Sequence, residues 1–128
     1  MVIVDTSVWI EAFRTGASQE RRELDRLLAA EEVIIVGPVL AEVLQGARSQ
    51  QEFDGLRIRL SALDYASETS QIWAKVGSLS YRLREGGTTL GLVDLLIAAL
   101  AIEHGHKVYT LDRHFQQIPG LQLYSPQQ

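Results

Sequence analysis

The chain contains no cysteine. That excludes a disulfide framework and any zinc site built on thiolates. Nor is there an excess of positive charge: 12 Lys and Arg stand against 16 Asp and Glu, for a formal net charge of −4. Broad electrostatic wrapping of nucleic acid normally requires a basic domain, so this balance argues against it. An enzyme that acts on a polyanion remains open, because clustered active-site acids lower the net charge and are neutralised locally by metal. No uncharged apolar run reaches the roughly 18–20 residues that span a bilayer. The longest, Leu90–Ile102, is interrupted by Asp94. The amino terminus enters an apolar run without the basic start of a secretion signal. A soluble, cytoplasmic protein with no membrane partner is expected. Also missing are a Gly-x-x-x-x-Gly-Lys-Ser/Thr phosphate loop and a Gly-x-Ser-x-Gly nucleophile elbow. Internal repeats, low-complexity tracts and linkers are absent too, so a single domain over residues 1–128 is expected.

What is present reads as α/β. At 128 residues and 46% hydrophobic, the chain can bury about two-thirds of its unfolded surface. Val2–Val4 and Val33–Val36 are short, β-branched and bounded by turn or capping residues, the mark of buried parallel strands. Lys107–Thr110 and Leu121–Tyr124 are similar, and Pro119-Gly120 marks a turn before the last. Between them the pattern is helical. Ser18 is placed to cap a helix carrying Leu24, Leu27 and Leu28, and Pro38 fits the first turn of another that Gly46 weakens at its end. Phe53, Leu56, Leu60 and Leu63 form a third stripe. Ile72, Val76, Leu79 and Leu83 form a fourth, ending at Gly86-Gly87. Leu90–Ile102 is apolar nearly all round and should be a central helix stopped by Gly105. Trp9 and Trp73 fall on apolar stripes and read as core. The sum is a small parallel sheet with helices about it.

Four acids stand out against this background. Asp5 closes the first strand and Asp112 follows the Lys107–Thr110 strand. In such sheets ligands bind outside the carboxyl ends of the strands. Asp94 lies in the apolar helix, and Glu42 flanks the apolar face of Pro38–Leu44. Each has an ordinary reading: Asp5 and Asp112 as helix caps, Asp94 as a local cap after Gly91, Glu42 as a solvated helix residue. Together they are better explained by chemistry. A buried, unpaired carboxylate is destabilising by several kcal/mol or shifts its pKa upward, roughly as for other buried charges. Few cationic residues are near these acids in sequence. A divalent cation satisfies all four at once.

Hard carboxylate oxygens suit Mg²⁺, with Mn²⁺ as a substitute. Such an ion activates water and offsets the charge that develops on a phosphate, which is the chemistry of phosphodiester hydrolysis without a covalent intermediate. Thr6, Ser7 and Thr110 are hydroxyls beside the acids, read either as caps and strand formers or as groups that orient a carboxylate. Arg14, Arg48 and Arg113, with His114, are candidates to touch phosphate, against the plainer reading of surface solvation. His104 and His106 lack a Cys or Glu at zinc spacing.

The ordered set resembles the PIN-domain ribonucleases, and most closely the VapC-type toxins of toxin–antitoxin pairs. The resemblance rests on Asp5-Thr6-Ser7 after an initial strand and on Glu42 in Pro-Val-Leu-Ala-Glu-Val. It also rests on Asp94 in Asp-Leu-Leu-Ile-Ala-Ala and on Thr110-Leu-Asp112-Arg-His-Phe115. It spans the chain from Met1 to the last strand. It implies a parallel sheet of four to five strands sandwiched by helices, Mg²⁺-dependent endonucleolytic cleavage of RNA, and neutralisation by a VapB-like antitoxin. It also implies a homodimer. By motif position, Asp5 and Asp94 are the principal metal ligands and catalytic residues. Glu42 and Asp112 complete the quartet directly or through water, and Thr6 and Thr110 support them. His114 departs from the pattern, standing where another acid often follows, which puts a fifth carboxylate and a second metal in doubt. The alternative is a catalytically silent PIN domain that binds RNA or protein. A metal-dependent adhesion module, a phosphoacceptor domain and an acid-nucleophile phosphatase each want acids or serines that this chain lacks.

Overall fold

The computed structural model describes residues 1–126. Four strands form one parallel sheet: β1 (Val2–Val4), β2 (Val33–Val36), β3 (Asp64–Ala66) and β4 (Lys107–Tyr109), in the order β3-β2-β1-β4. Six helices connect them: α1 (Thr6–Arg14), α2 (Gln19–Ala29), α3 (Gly37–Gln45), α4 (Gln50–Ser61), α5 (Ser70–Glu85) and α6 (Leu92–His104). A 3₁₀ turn, Arg113–Gln117, follows β4. β1 and β2 are buried throughout because each run is wholly apolar and both faces are covered.

The topology decides where a site can form. From β1 the chain steps to β2 and then β3 in one direction, and next jumps back across the sheet to place β4 on the other side of β1. Parallel crossovers are right-handed almost without exception, which assigns α1–α4 to one face and α5–α6 to the other. The packing agrees: α1 lies against α2 and α3, and α5 against α6. The order reverses between β1 and β4, so the crevice of this fold opens at the carboxyl ends of those two strands.

Most helix ends follow the expected residues. Ser18, Ser49 and Thr69 cap α2, α4 and α5 through their side chains. Pro38 sits in the first turn of α3. Gly105 ends α6 at φ 71°, a left-handed conformation that favours glycine.

Three expectations change. The apolar stripe through Leu63 is not one helix: α4 stops at Ser61, and Asp64–Ala66 forms edge strand β3. Its pattern was masked because two of its three residues are exposed. Leu121–Tyr124 does not extend into a strand; it makes one parallel bridge, Val108 to Leu123. Trp9 is core at 3% exposure, but Trp73 is 45% exposed on α5, so the core reading holds for one tryptophan only. The stripe that α5 does bury runs through Ile72 and Val76.

The Tyr124 hydroxyl donates to buried Glu23 on α2, which also accepts from Arg26, fastening the chain's last described segment to the fold. Tyr109 packs against Tyr124 in a tilted pair with ring centroids 5.3 Å apart. Its hydroxyl is buried without a hydrogen-bond partner among the described residues. Burial, with Glu20 and Glu23 nearby, pushes Tyr109 from the ordinary 10 up to about 12. The native state thus favours the neutral phenol. That contribution is intact below pH 10 and is lost as pH rises through about 12. Tyr109→Phe should therefore melt at the wild-type temperature or slightly above at pH 7, since it removes an unsatisfied group, and should lose less stability than wild type between pH 10 and about 12. A clearly lower melting temperature at pH 7 would show that the hydroxyl has a partner.

Candidate active site

Asp5 stands at the β1–α1 junction with its backbone extended, and its N–H donates to Tyr109 O at 2.9 Å, so it is locked to the end of β4. Its side chain caps nothing. Instead Oδ2 accepts from Ser7 Oγ and from Thr110 Oγ1, each at 2.8 Å. Those hydroxyls are oriented in turn: Leu111 N–H donates to Ser7 Oγ at 3.1 Å and Asp112 N–H to Thr110 Oγ1 at 3.0 Å. Each hydroxyl has one proton, committed to Asp5, so the 3.5 Å separation of Ser7 and Thr110 is a spacing rather than a bond. Asp5 is 8% exposed, yet its Oδ1 receives no hydrogen bond among the described residues.

The other acids are tied to the same point. Thr6 Oγ1 donates to Glu42 Oε1 at 3.2 Å, bringing α3 to the start of α1. Asp112 does act as a cap, accepting His114 N–H at 2.9 Å; the His114 ring Nδ1 is 2.9 Å from the same oxygen. Asp94 lies in the first turn of α6, half-buried, and does not cap it. Its surroundings correct the expectation of an all-round buried helix: Leu95–Ala101 is buried, while Leu92, Val93 and Ile102 are exposed. Burial raises the pKa of Asp94 above the usual range, and Asp5, Asp112 and Glu42 raise it further, with His114 opposing them. The other three acids are thus all near enough to act on Asp94.

A family model for the PIN domain matches residues 2–121. The chain belongs to the PIN-domain family. It is 33% identical over 122 residues to VapC ribonuclease Mb1587 of Mycobacterium bovis, covering 92% of this chain and 91% of that protein. The same figures hold for ribonuclease VapC11 of Mycobacterium tuberculosis. Among solved structures, it is similar to a chain in the crystal structure of VapBC2 from Rickettsia felis bound to a DNA fragment from their promoter. That match has a TM-score of 0.77 and 25% identity, covering 97% of this chain and 98% of that one.

Whether the PIN-domain acids suit a divalent cation is decided by their donors. Among the described residues, no Lys or Arg forms an ion pair with Asp5, Glu42, Asp94 or Asp112. Nor do any three acids or histidines there stand close enough to enclose a cation unaided. These residues therefore form no ready-made all-protein cage; a hydrated ion such as Mg²⁺, which takes one or two carboxylates directly and keeps several waters, would ask less of them. The all-oxygen donors, the undonated Asp5 Oδ1 and the mutual repulsion at Asp94 fit that ion.

Beside the acids lies a cleft of about 710 Å³. Of the quartet only Glu42 lines it, so the cleft is an approach to the site rather than its centre. It brings together Arg14 and Arg48, two of the residues named above as candidates to touch phosphate, and adds Arg59 and Phe13, which were not among those candidates. The signal was available: Leu56 and Arg59 follow Glu52 at helical spacing on α4. Arg113 is exposed on the 3₁₀ turn and does not line this cleft.

The raised pKa of Asp94 carries a stability consequence. The folded state binds this proton more tightly than the unfolded chain, so the gain is complete below the ordinary aspartate range. It is lost as pH rises through the raised value. At pH 7 the ionised group weighs against the metal-free fold. Metal-free Asp94→Asn should thus melt no lower than wild type at pH 7, and the two should converge in acid. Thermal melts in EDTA across that range check this; a variant markedly less stable at pH 7 would mean Asp94 is a structural acid.

Proposed function

We propose that this chain is the toxin of a type II toxin–antitoxin pair: a Mg²⁺-dependent endoribonuclease that hydrolyses RNA phosphodiester bonds and is neutralised by a VapB-like antitoxin. The observation that carries the reading is that Asp5, Glu42 and Asp112 are all near enough to act on Asp94 beside the β1/β4 switch point, while among the described residues no cationic side chain pairs with the four other than His114 at Asp112. The VapC ribonucleases similar to it, and the VapBC2 structure that shares its fold, support the activity and the partner class. A homodimer, a single domain over residues 1–128 and a cytoplasmic location belong to the same reading. Among the described residues, no helix is long and apolar enough to cross a membrane.

Asp5 and Asp94 are the residues that hold the cation, with Glu42 and Asp112 completing the set directly or through water. Mg²⁺, or Mn²⁺ in its place, supplies charge for the phosphate oxygens and makes water more acidic. The chain's own groups do the positioning. Ser7 and Thr110 fix the Asp5 carboxylate by engaging Oδ2, which leaves Oδ1 for the ligand. Thr6 holds Glu42, and Thr110 also orients Asp112 through its backbone N–H. In the reaction the oxygen of water bonds to phosphorus, the ester P–O bond breaks, and a proton from water ends on the leaving ribose oxygen.

Antitoxin-free protein incubated with total cellular RNA and Mg²⁺ should give discrete fragments, and EDTA should abolish them. Asp94→Asn and Asp5→Asn should lower the rate by at least about a hundred-fold, as expected when a charge-stabilising group is lost, while remaining folded by circular dichroism. Cleavage by Asp94→Asn at the wild-type rate would refute the metal-site assignment. Failure of folded, metal-supplied wild type to cut varied RNA pools would favour the silent binding domain.

A further inference from the structure

The cleft beside Glu42 has walls of unusual composition. Thr6, Ile10, Phe13 and Arg14 recur at i, i+4, i+7 and i+8 and so share one face of α1. Thr6 closes the acid end of that face through its bond to Glu42. Further along, Ile10 is 55% and Phe13 49% exposed, which leaves an aromatic ring and an aliphatic side chain open to the cleft. Arg48 and Arg59 line the same space. Neither Arg14 nor Arg48 has a carboxylate partner among the described residues, and Arg59 engages only its Nε, with Gly55 O at 3.3 Å. On α2, by contrast, Arg21 pairs with Asp25 and Arg26 with Glu23. Among the described residues that line the cleft, only Glu42 and Glu52 oppose these three guanidinium groups.

We propose that this cleft binds a single-stranded stretch of RNA flanking the bond to be cut, with Phe13 stacking on one base and Arg14, Arg48 and Arg59 contacting phosphates. The proposal rests on the ribonuclease reading and gives it a direction. Substrate leaves the acid cluster past Glu42 along α1, over the roughly 12 Å that separates Thr6 from Arg14 on a helix. Exposed aromatic rings interleaved with unpaired arginines are what an unpaired strand recognises, since every base has a π face and every linkage a charge. A duplex would hide its base faces and leave Phe13 unused. The three guanidinium groups already outnumber the two carboxylates, and a cation held beside Glu42 would raise that positive excess.

The test uses the full chain carrying Asp94→Asn, so that RNA is not consumed, and measures fluorescence anisotropy with a labelled pool of short single-stranded RNA and a matching duplex. The parent should prefer the single strand. Phe13→Leu should weaken binding by about ten-fold or more and Phe13→Tyr should restore it. Each of Arg14→Ala, Arg48→Ala and Arg59→Ala should reduce the slope of log affinity against log salt by about 0.7. These side chains are exposed, so unchanged melting temperatures should accompany the losses. Unchanged RNA affinity in Phe13→Leu and Arg59→Ala, equal binding of duplex, or no RNA binding by the parent would each overturn the proposal. So would variants that bind RNA normally but release a purified VapB-like antitoxin, which would assign the cleft to a protein segment. Metal-dependent cleavage by the Asp94 form distinguishes the two failures. If it persists while the cleft variants bind RNA normally, only the cleft assignment falls; if it is absent, the ribonuclease reading falls with it.

Discussion

The Asp5 carboxylate is the point from which the site is built. Its Oδ2 is held by hydroxyls that come from two different strand ends, Ser7 after β1 and Thr110 after β4, and each hydroxyl is aimed by a backbone N–H from the β4 side. That arrangement joins the two strands at the one place where the sheet reverses its order. It also settles the orientation of a nearly buried charge before any ligand arrives. Without it, Asp5 would be free to cap α1, the ordinary use of an aspartate at that position. The polar groups here serve the site in preference to the helix.

The rest of the acid cluster is arranged around that anchor by different forces. Glu42 is exposed and is brought in by the Thr6 hydroxyl. Asp112 is positioned by its own capping bond and by His114. Asp94 is held by α6, whose middle is packed into the core, while its first turn reaches the solvent edge. Among the described residues no Lys or Arg forms an ion pair with these groups, and the pKa of Asp94 is raised first by its burial and then by the neighbouring carboxylates. A fold that tolerates this has a use for the charge. On the proposed reading the same logic accounts for an acidic protein acting on a polyanion: a cation held at these acids would invert the local field.

Much of this was legible in the residues. β1, β2 and the helix caps at Ser18 and Gly105 follow from composition and turn chemistry alone, and the acids were marked by sitting at strand ends or in apolar surroundings. What was not legible depended on tertiary context. β3 is an edge strand with a single buried residue, Ala66, so it carries no alternating pattern, and the stripe ending at Leu63 ran over its start. Trp73 shares a helix with Ile72 and Val76 but lies off their buried face. The hydroxyl network spans 103 to 105 positions in sequence, so no local spacing could show that Ser7 and Thr110 meet. The cleft needed three helices, and Phe13 and Arg59 gained meaning only when α1 and α4 were placed beside α3.

The most direct measurement of the central claim is a calorimetric titration of antitoxin-free, RNA-free protein with Mn²⁺. Wild type should bind saturably, with competition by Mg²⁺, and both Asp5→Asn and Asp94→Asn should lose binding with the fold retained. Thr110→Val, which releases Oδ2, should bind more weakly. Equal binding by wild type and both Asn variants would contradict the assignment of the four acids to one metal centre.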